Sequence, residues 1–245
     1  MDFIDISKWN GEFNFDAARS HGGIDGVFIK ASGCGVGGNY TDYKFEDNSK
    51  NCNMTYKGAY HYFDYVGRKS GKDQCKFFLD TVGSWGNMRG VLDLEDNSGG
   101  NWPKLSSMYG FALKEALQFV MQYLNETEVL PIMYLNTGLT VLRDSMLKWT
   151  FRNFAECPLW VANYNKISVP PTGAWKDYAL WQYTSKGPGI LYGNSVGNNY
   201  IDLNVVKNLD ALLIKPPVTN EDDTTSLTLE KLDRRIKIIE TKLNL

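Results

Sequence analysis

Asp93 and Glu95 stand one residue apart at the end of the apolar run Gly90-Val91-Leu92-Asp93-Leu94-Glu95, just before the chain breaks into Asn97-Ser98-Gly99-Gly100. If that run is a strand, alternation sends both carboxylates to the same side, their Cα atoms about 7 Å apart. Two acids in one small volume perturb each other's ionisation and can separate a proton donor from an ionised partner, the arrangement that hydrolysis of a glycosidic bond requires. An isolated Asp-x-Glu can equally solvate a strand end or cap the helix that follows.

Other chemistries have little material here. Cys34, Cys52, Cys75 and Cys157 are widely spaced, with no CxxC pair and no neighbouring His cluster, which argues against a zinc site and leaves disulfide pairing undecided. His21 and His61 are the only histidines, and no G-x-S-x-G elbow occurs, so neither a His-based triad nor a metal or cofactor is expected. The net charge of -2, with 26 basic residues scattered along the chain, argues against nucleic acid. No apolar stretch approaches the roughly 20 residues that span a bilayer, so no membrane partner is expected. The 7 Trp and 14 Tyr suit stacking on sugar rings, although aromatic residues also fill cores.

The elements that would position the acids recur regularly. Eight runs read as strands: Phe3 to Ser7, Gly26 to Ala31, Lys57 to Phe63, Gly90 to Glu95, Pro131 to Asn136, Pro158 to Ala162, Ala179 to Thr184 and Tyr200 to Leu203. Helical spacing is clearest over Lys104 to Leu124, through Leu105, Met108, Phe111, Ala112, Leu117, Val120 and Leu124. Shorter helices are expected at Phe45 to Met54, Gly71 to Thr81, Leu139 to Lys148 and Val205 to Leu212, with loops around 165–177 and 185–199. Strands alternating with helices imply a parallel sheet, and eight of them imply an α/β fold closed as a TIM-like barrel that lacks some crossover helices. A chain of 245 residues accommodates one such domain plus an appendage. The site of such a barrel lies at the C-terminal strand ends, where Asp5, Asp93, Glu95, Tyr134, Trp160, Gln182 and Asp202 fall.

Taken in order, the motifs resemble the glycoside hydrolase family 25 lysozymes, the Chalaropsis-type muramidases, from about Asp2 to Leu213. The resemblance rests on Asp5-Ile6-Ser7-Lys8-Trp9-Asn10-Gly11, Phe28-Ile29-Lys30-Ala31, Gly58-Ala59-Tyr60-His61-Tyr62-Phe63 and Leu92-Asp93-Leu94-Glu95. It continues through Pro131-Ile132-Met133-Tyr134, Leu159-Trp160-Val161-Ala162, Leu180-Trp181-Gln182-Tyr183 and Ile201-Asp202-Leu203-Asn204. In two places the chain departs from the pattern. The family often has Thr-Glu-Gly after the Lys-Ala pair where this chain has Ser32-Gly33-Cys34-Gly35, and often has Gln at the position of Asn10.

The resemblance implies cleavage of the β-1,4 bond between N-acetylmuramic acid and N-acetylglucosamine in bacterial peptidoglycan. It implies Glu95 as general acid, with Asp93 as either the attacking group or the orienter of the substrate's own 2-acetamido group. The second is expected, because an acid on the same strand is poorly placed to reach the opposite face of the sugar. Asp5 and Asp202 would hold the electrostatics, and Tyr62, Tyr134, Trp160 and Gln182 would line the groove. Lys30 would pair with or neutralise the acids. His61, which alternation sends opposite to Tyr60 and Tyr62, is expected to be structural.

Composition changes after Lys215, dividing the chain into a barrel over 1–214, a linker over 215–226 and a terminal helix over 227–245. In that helix Leu229, Leu232, Ile236, Ile239 and Leu243 keep heptad spacing, so a homo-oligomeric coiled coil is expected, the alternative being a stripe packed back on the barrel. The first residues carry no secretory signal, which with a wall-degrading activity suggests a phage lysin released from the host cytoplasm through a holin or carried in the virion, or else a trimmed autolysin. Two other functions fit the same features: a catalytically silent wall-binding or virion subunit, and a glycosidase of another N-acetylated polymer such as chitin.

Overall fold

The computed structural model describes residues 1–64, 69–95, 106–140, 152–164, 168–194 and 200–214, and residues 233, 236 and 237. Nine strands form one sheet: β1 (Asp2–Ile6), β2 (Ile24–Gly35), β3 (Gly38–Thr41), β4 (Tyr56–Phe63), β5 (Val91–Leu94), β6 (Ile132–Asn136), β7 (Leu159–Ala162), β8 (Leu180–Pro188) and β9 (Tyr200–Val206). Eight of them close into a barrel in the order β1-β2-β4-β5-β6-β7-β8-β9, sealed by the β1–β9 pairing. They are the eight runs expected from alternation. β3 lies outside the ring and folds back antiparallel on the extension of β2, a hairpin missed because Ser32 to Gly35 is polar and glycine-rich.

The last strand departs from an all-parallel ring, since β9 is antiparallel to both β1 and β8. A parallel return needs a long crossover, usually a helix. β8 and β9 are separated by eleven residues, which begin with a short 3₁₀ turn, Gly189–Tyr192. The beginning of β9 therefore lies at the mouth where the other strands end.

The helix expected at Val205 to Leu212 does not form. Val205 and Val206 complete the β9 ladder instead. The amides of Lys207 and Asn208 then donate to the Ala179 carbonyl, and Leu212 turns into the barrel floor, its carbonyl accepting from the Arg89 amide. Strand pairing and burial outcompete local helical spacing here. The other helices are α1 (Phe15–Ser20), which had no strong periodicity, α2 (Phe45–Asn51), α3 (Gly71–Val82), α4 (Ser106–Thr127) and α5 (Thr137–Thr140). On α4 the buried face is Ala112, Leu113, Ala116, Leu117, Phe119, Val120 and Tyr123, whereas Phe111, placed on the apolar stripe by sequence, is exposed. Most of the helix expected at Leu139 to Lys148 and the linker over 215–226 lie outside the described residues. Of the heptad positions only Ile236 is described; it is helical, buried and grouped with the outer apolar layer.

Alternation along the strands divides the core in two. Phe3, Phe28, Val91, Ile132, Tyr134, Trp160 and Leu180 fill the interior. Ile4, Ile6, Val27, Ile29, Leu92, Leu94, Met133, Leu135, Leu159 and Val161 face outward into the layer shared with the helices. Glycines make room for the interior rings: a Cβ on Gly58 would lie 2.4 Å from the Phe28 ring, and one on Gly26 2.6 Å from Phe3. His61 belongs to the outer layer, as expected. Its Nε2 faces Gln74 Oε1 at 3.1 Å and its Nδ1 the Ser32 hydroxyl at 2.9 Å. Because the Gln74 amide nitrogen donates to the carbonyls of Asp64 and Lys69, Nε2 carries the proton and Nδ1 accepts from Ser32.

Candidate active site

The inward positions near the mouth are polar where those below are apolar. Asp5, Tyr60, Asp93, Glu95, Tyr134, Trp160, Tyr164, Gln182, Ser185 and Asp202 line a cavity of about 200 Å³. The four acids proposed from sequence thus meet in one pocket, together with Tyr134, Trp160 and Gln182. Asp202 arrives there only because β9 is reversed, which sets it directly opposite Asp5 in the ladder.

A closed hydrogen-bond network fixes the floor. The Tyr134 hydroxyl donates to Gln182 Oε1 at 2.8 Å and the Tyr164 hydroxyl at 3.1 Å, so the Gln182 amide nitrogen points to Asp5 Oδ2, 3.0 Å away. Asn204 Nδ2 donates to the same oxygen at 2.8 Å, and Asn204 Oδ1 accepts from the Trp160 indole at 2.8 Å. Asn204 was quoted in the sequence motif without a role. The signal was its spacing, two residues after Asp202 on one strand, which turns both side chains inward.

Burial raises every acid of the cluster. The Asp5 carboxyl is pushed up by burial, opposed by hydrogen bonds from Asn204, Gln182 and Asp202. Asp202 is pushed up to about 9 by burial and by the charge of Asp5, to which it is hydrogen-bonded. The proton of this dyad therefore sits on Asp202, which donates it to an ionised Asp5. Asp93 is raised well above the carboxylate range by burial and then by Glu95, with Lys30 opposing. Glu95 is raised by burial, with Lys30 opposing and Asp5 adding. Both carboxyls therefore hold protons above the usual carboxylate range. Asp93 Oδ1 is buried and has no hydrogen-bond partner among the described residues.

One expected groove residue sits elsewhere. Tyr62 is not among the lining residues; its place is taken by Tyr60, the inward residue one layer deeper, while the Tyr62 ring lies 4.2 Å from Lys30 Nζ. Lys30 acts through its field on Asp93, Asp42 and Glu95, and burial lowers its own pKa. Tyr164 and Ser185, from segments expected to be loops or strand ends without a role, were missed. The Trp160 ring is 2% exposed and packs 4.9 Å from both Phe28 and Tyr134, so only its edge meets the cavity. Cys34, Cys52, Cys75 and Cys157 are free thiols.

A closed barrel with acids and aromatic edges gathered at one mouth defines a barrel of the glycoside hydrolase class. The chain belongs to glycosyl hydrolases family 25, whose profile matches residues 4–189. It is 29% identical over 196 residues to lysozyme M1 of Streptomyces globisporus, an alignment covering 75% of this chain and 62% of that protein, so the chain spans less than two thirds of the relative's length. Among solved structures it resembles the lysozyme from Streptomyces coelicolor, with a TM-score of 0.68 and 25% identity over 85% of this chain and 92% of that one. It also resembles the muramidase from Acremonium alcalophilum, with a TM-score of 0.64 and 27% identity over 85% and 94% of the two chains.

Proposed function

We propose that the chain is an N-acetylmuramidase that hydrolyses the β-1,4 bond between N-acetylmuramic acid and N-acetylglucosamine in bacterial peptidoglycan. The observation that carries the reading is the buried, unpartnered Asp93 Oδ1 in the pocket that also holds Glu95. A polar atom left without a partner costs stability unless a ligand satisfies it, and a 2-acetamido N–H of the substrate is the matching donor.

Glu95, whose carboxyl burial pushes above its ordinary range, gives its proton to the leaving glycosidic oxygen. As the bond from the anomeric carbon breaks, the acetamido oxygen, oriented through Asp93, closes on that carbon from the opposite face. A water then opens the ring so formed and yields its proton to Glu95, restoring the acid. Asp5, held by hydrogen bonds from Gln182 and Asn204, faces the site where positive charge develops on the sugar and stabilises it. No metal or cofactor enters this scheme.

Wild type and Glu95→Gln, incubated with Gram-positive peptidoglycan and separately with chitin oligomers, test the reading. Release of soluble reducing ends from peptidoglycan by wild type, lost in the variant, supports it. Turnover of chitin alone would move the substrate to another N-acetylated polymer, and release by neither protein would favour a silent wall-binding subunit.

A further inference from the structure

Tyr164 belongs both to the pocket and to the surface. Its hydroxyl lies 3.1 Å from Gln182 Oε1 and is hydrogen-bonded to Ser185, yet the residue is 60% exposed. Tyr134, which donates to the same Gln182 oxygen, is 7% exposed and packs against Trp160. Of the two donors that hold Gln182, Tyr164 is the one whose ring lies open to a ligand at the mouth.

The chain on either side of the contact is built to keep Tyr164 there. The Asn163 amide donates to the Gln182 carbonyl at 2.9 Å, and the Asn163 carbonyl accepts from the Trp181 indole at 2.8 Å, so the residue before Tyr164 is clamped to β8. Ser185 is three residues beyond Gln182 on β8, and strict alternation would send the two to opposite faces. The ladder with β9 slips between Gln182 and Thr184 and again between Thr184 and Gly187, which lets Ser185 line the same pocket as Gln182.

Hydrogen-bond capacity then sets the direction of the chain. An ionised Asp5 only accepts, so Gln182 presents its amide nitrogen to Asp5 Oδ2, 3.0 Å away, and its oxygen to the two tyrosines. Tyr164 has one hydroxyl proton and gives it to Gln182, which makes Ser185 the donor to the Tyr164 oxygen. Donation therefore runs from Ser185 through Tyr164 and Gln182 to Asp5. Without the Tyr164 hydroxyl, the buried Gln182 oxygen loses one of its two partners and the amide is freer to turn away from Asp5.

We infer that Tyr164 is a positioning residue of the hydrolysis: its hydroxyl holds the Gln182 amide on Asp5, and its open ring bears the glycan at the mouth. A ring with one wet face and an anchored polar tip suits the C–H face of a sugar. The inference rests on the muramidase reading for the identity of that sugar and adds to it a link between glycan binding and the Asp5 carboxylate.

Tyr164→Phe, Tyr164→Ala, Gln182→Met and the Phe–Met double variant, assayed on soluble peptidoglycan strands, test it. Tyr164→Phe keeps the ring and should lower kcat about two- to tenfold, the range of one neutral hydrogen bond, with KM retained. Tyr164→Ala should raise KM as well, and in the Gln182→Met background Tyr164→Phe should lower kcat no further. Unchanged kcat in the Phe variant, unchanged KM in the Ala variant, or the same fractional loss in the Gln182→Met background overturns the inference. A second readout needs no substrate: the carbon-13 signal of the Asp5 carboxyl, assigned by its loss in Asp5→Asn, should titrate at higher pH in Tyr164→Phe, because a weakened donor no longer favours the ionised form. The other groups whose charge acts on or from Asp5, namely Asp202, Asp93, Glu95, Tyr60 and Tyr134, are all retained in that variant. An unmoved Asp5 titration overturns the inference whether or not glycan is cleaved, whereas absence of turnover by wild type counts against the muramidase reading.

Discussion

Asp202→Asn should flatten the dependence of stability on pH. Asp202 has its pKa raised from 3.8 to about 9, so across that interval the folded chain holds a proton that the unfolded chain has released. Stability falls with rising pH wherever the folded state binds more protons, at about 1.4 kcal/mol per pH unit for one proton. From pH 5 to pH 7 this single group costs the wild type up to about 2.7 kcal/mol, an upper bound because Asp5 shares in the titration. Asparagine keeps a donor facing Asp5 and cannot titrate. The variant should therefore gain on wild type between pH 5 and pH 7 by about 1–3 kcal/mol, or several degrees in Tm for a domain of this size. Denaturant unfolding of both proteins at the two pH values measures it. Parallel profiles would show that Asp202 is ionised in the folded protein and would refute the assignment of the dyad's proton.

Replacing Asn204 by Leu strips Asp5 of one donor and leaves the Trp160 indole without its acceptor, so a loss of about 2–4 kcal/mol in denaturant unfolding and a fall in kcat are expected. His61→Phe should cost about 1–3 kcal/mol by orphaning Ser32 and Gln74, while both limbs of the pH–rate profile stay in place, since His61 lies outside the barrel mouth and burial lowers its pKa to about 4. A Cβ on Gly71 would lie 1.7 Å from the Glu115 carbonyl oxygen, so Gly71→Ala should separate α3 from α4 and lower stability by about 1–3 kcal/mol or more, read as a drop in Tm.

Alternation with a period of two carried most of the fold and of the pocket. The same parity that turns Phe3 and Phe28 inward turns Asp5 inward, and Asp93, Tyr134, Trp160 and Gln182 obey it on their own strands. Strand direction was not readable in this way, because an antiparallel β9 has the same alternation as a parallel one; only the shortness of its connection pointed to reversal. Depth was also hidden. Tyr60 and Tyr62 share a face, and nothing local says which of the two reaches the cavity. Val205 to Leu212 misled because apolar spacing suits a helix as well as a strand end followed by a buried turn. The hairpin between β2 and β3 was missed because no hydrophobic run announces it.

The central claim concerns which bond is cut. Products released from peptidoglycan by the wild-type chain can be reduced with borodeuteride and their labelled ends identified by mass spectrometry. Label on N-acetylmuramic acid is the expected result, absent with Glu95→Gln; label on N-acetylglucosamine, or none in the wild type, would contradict the account.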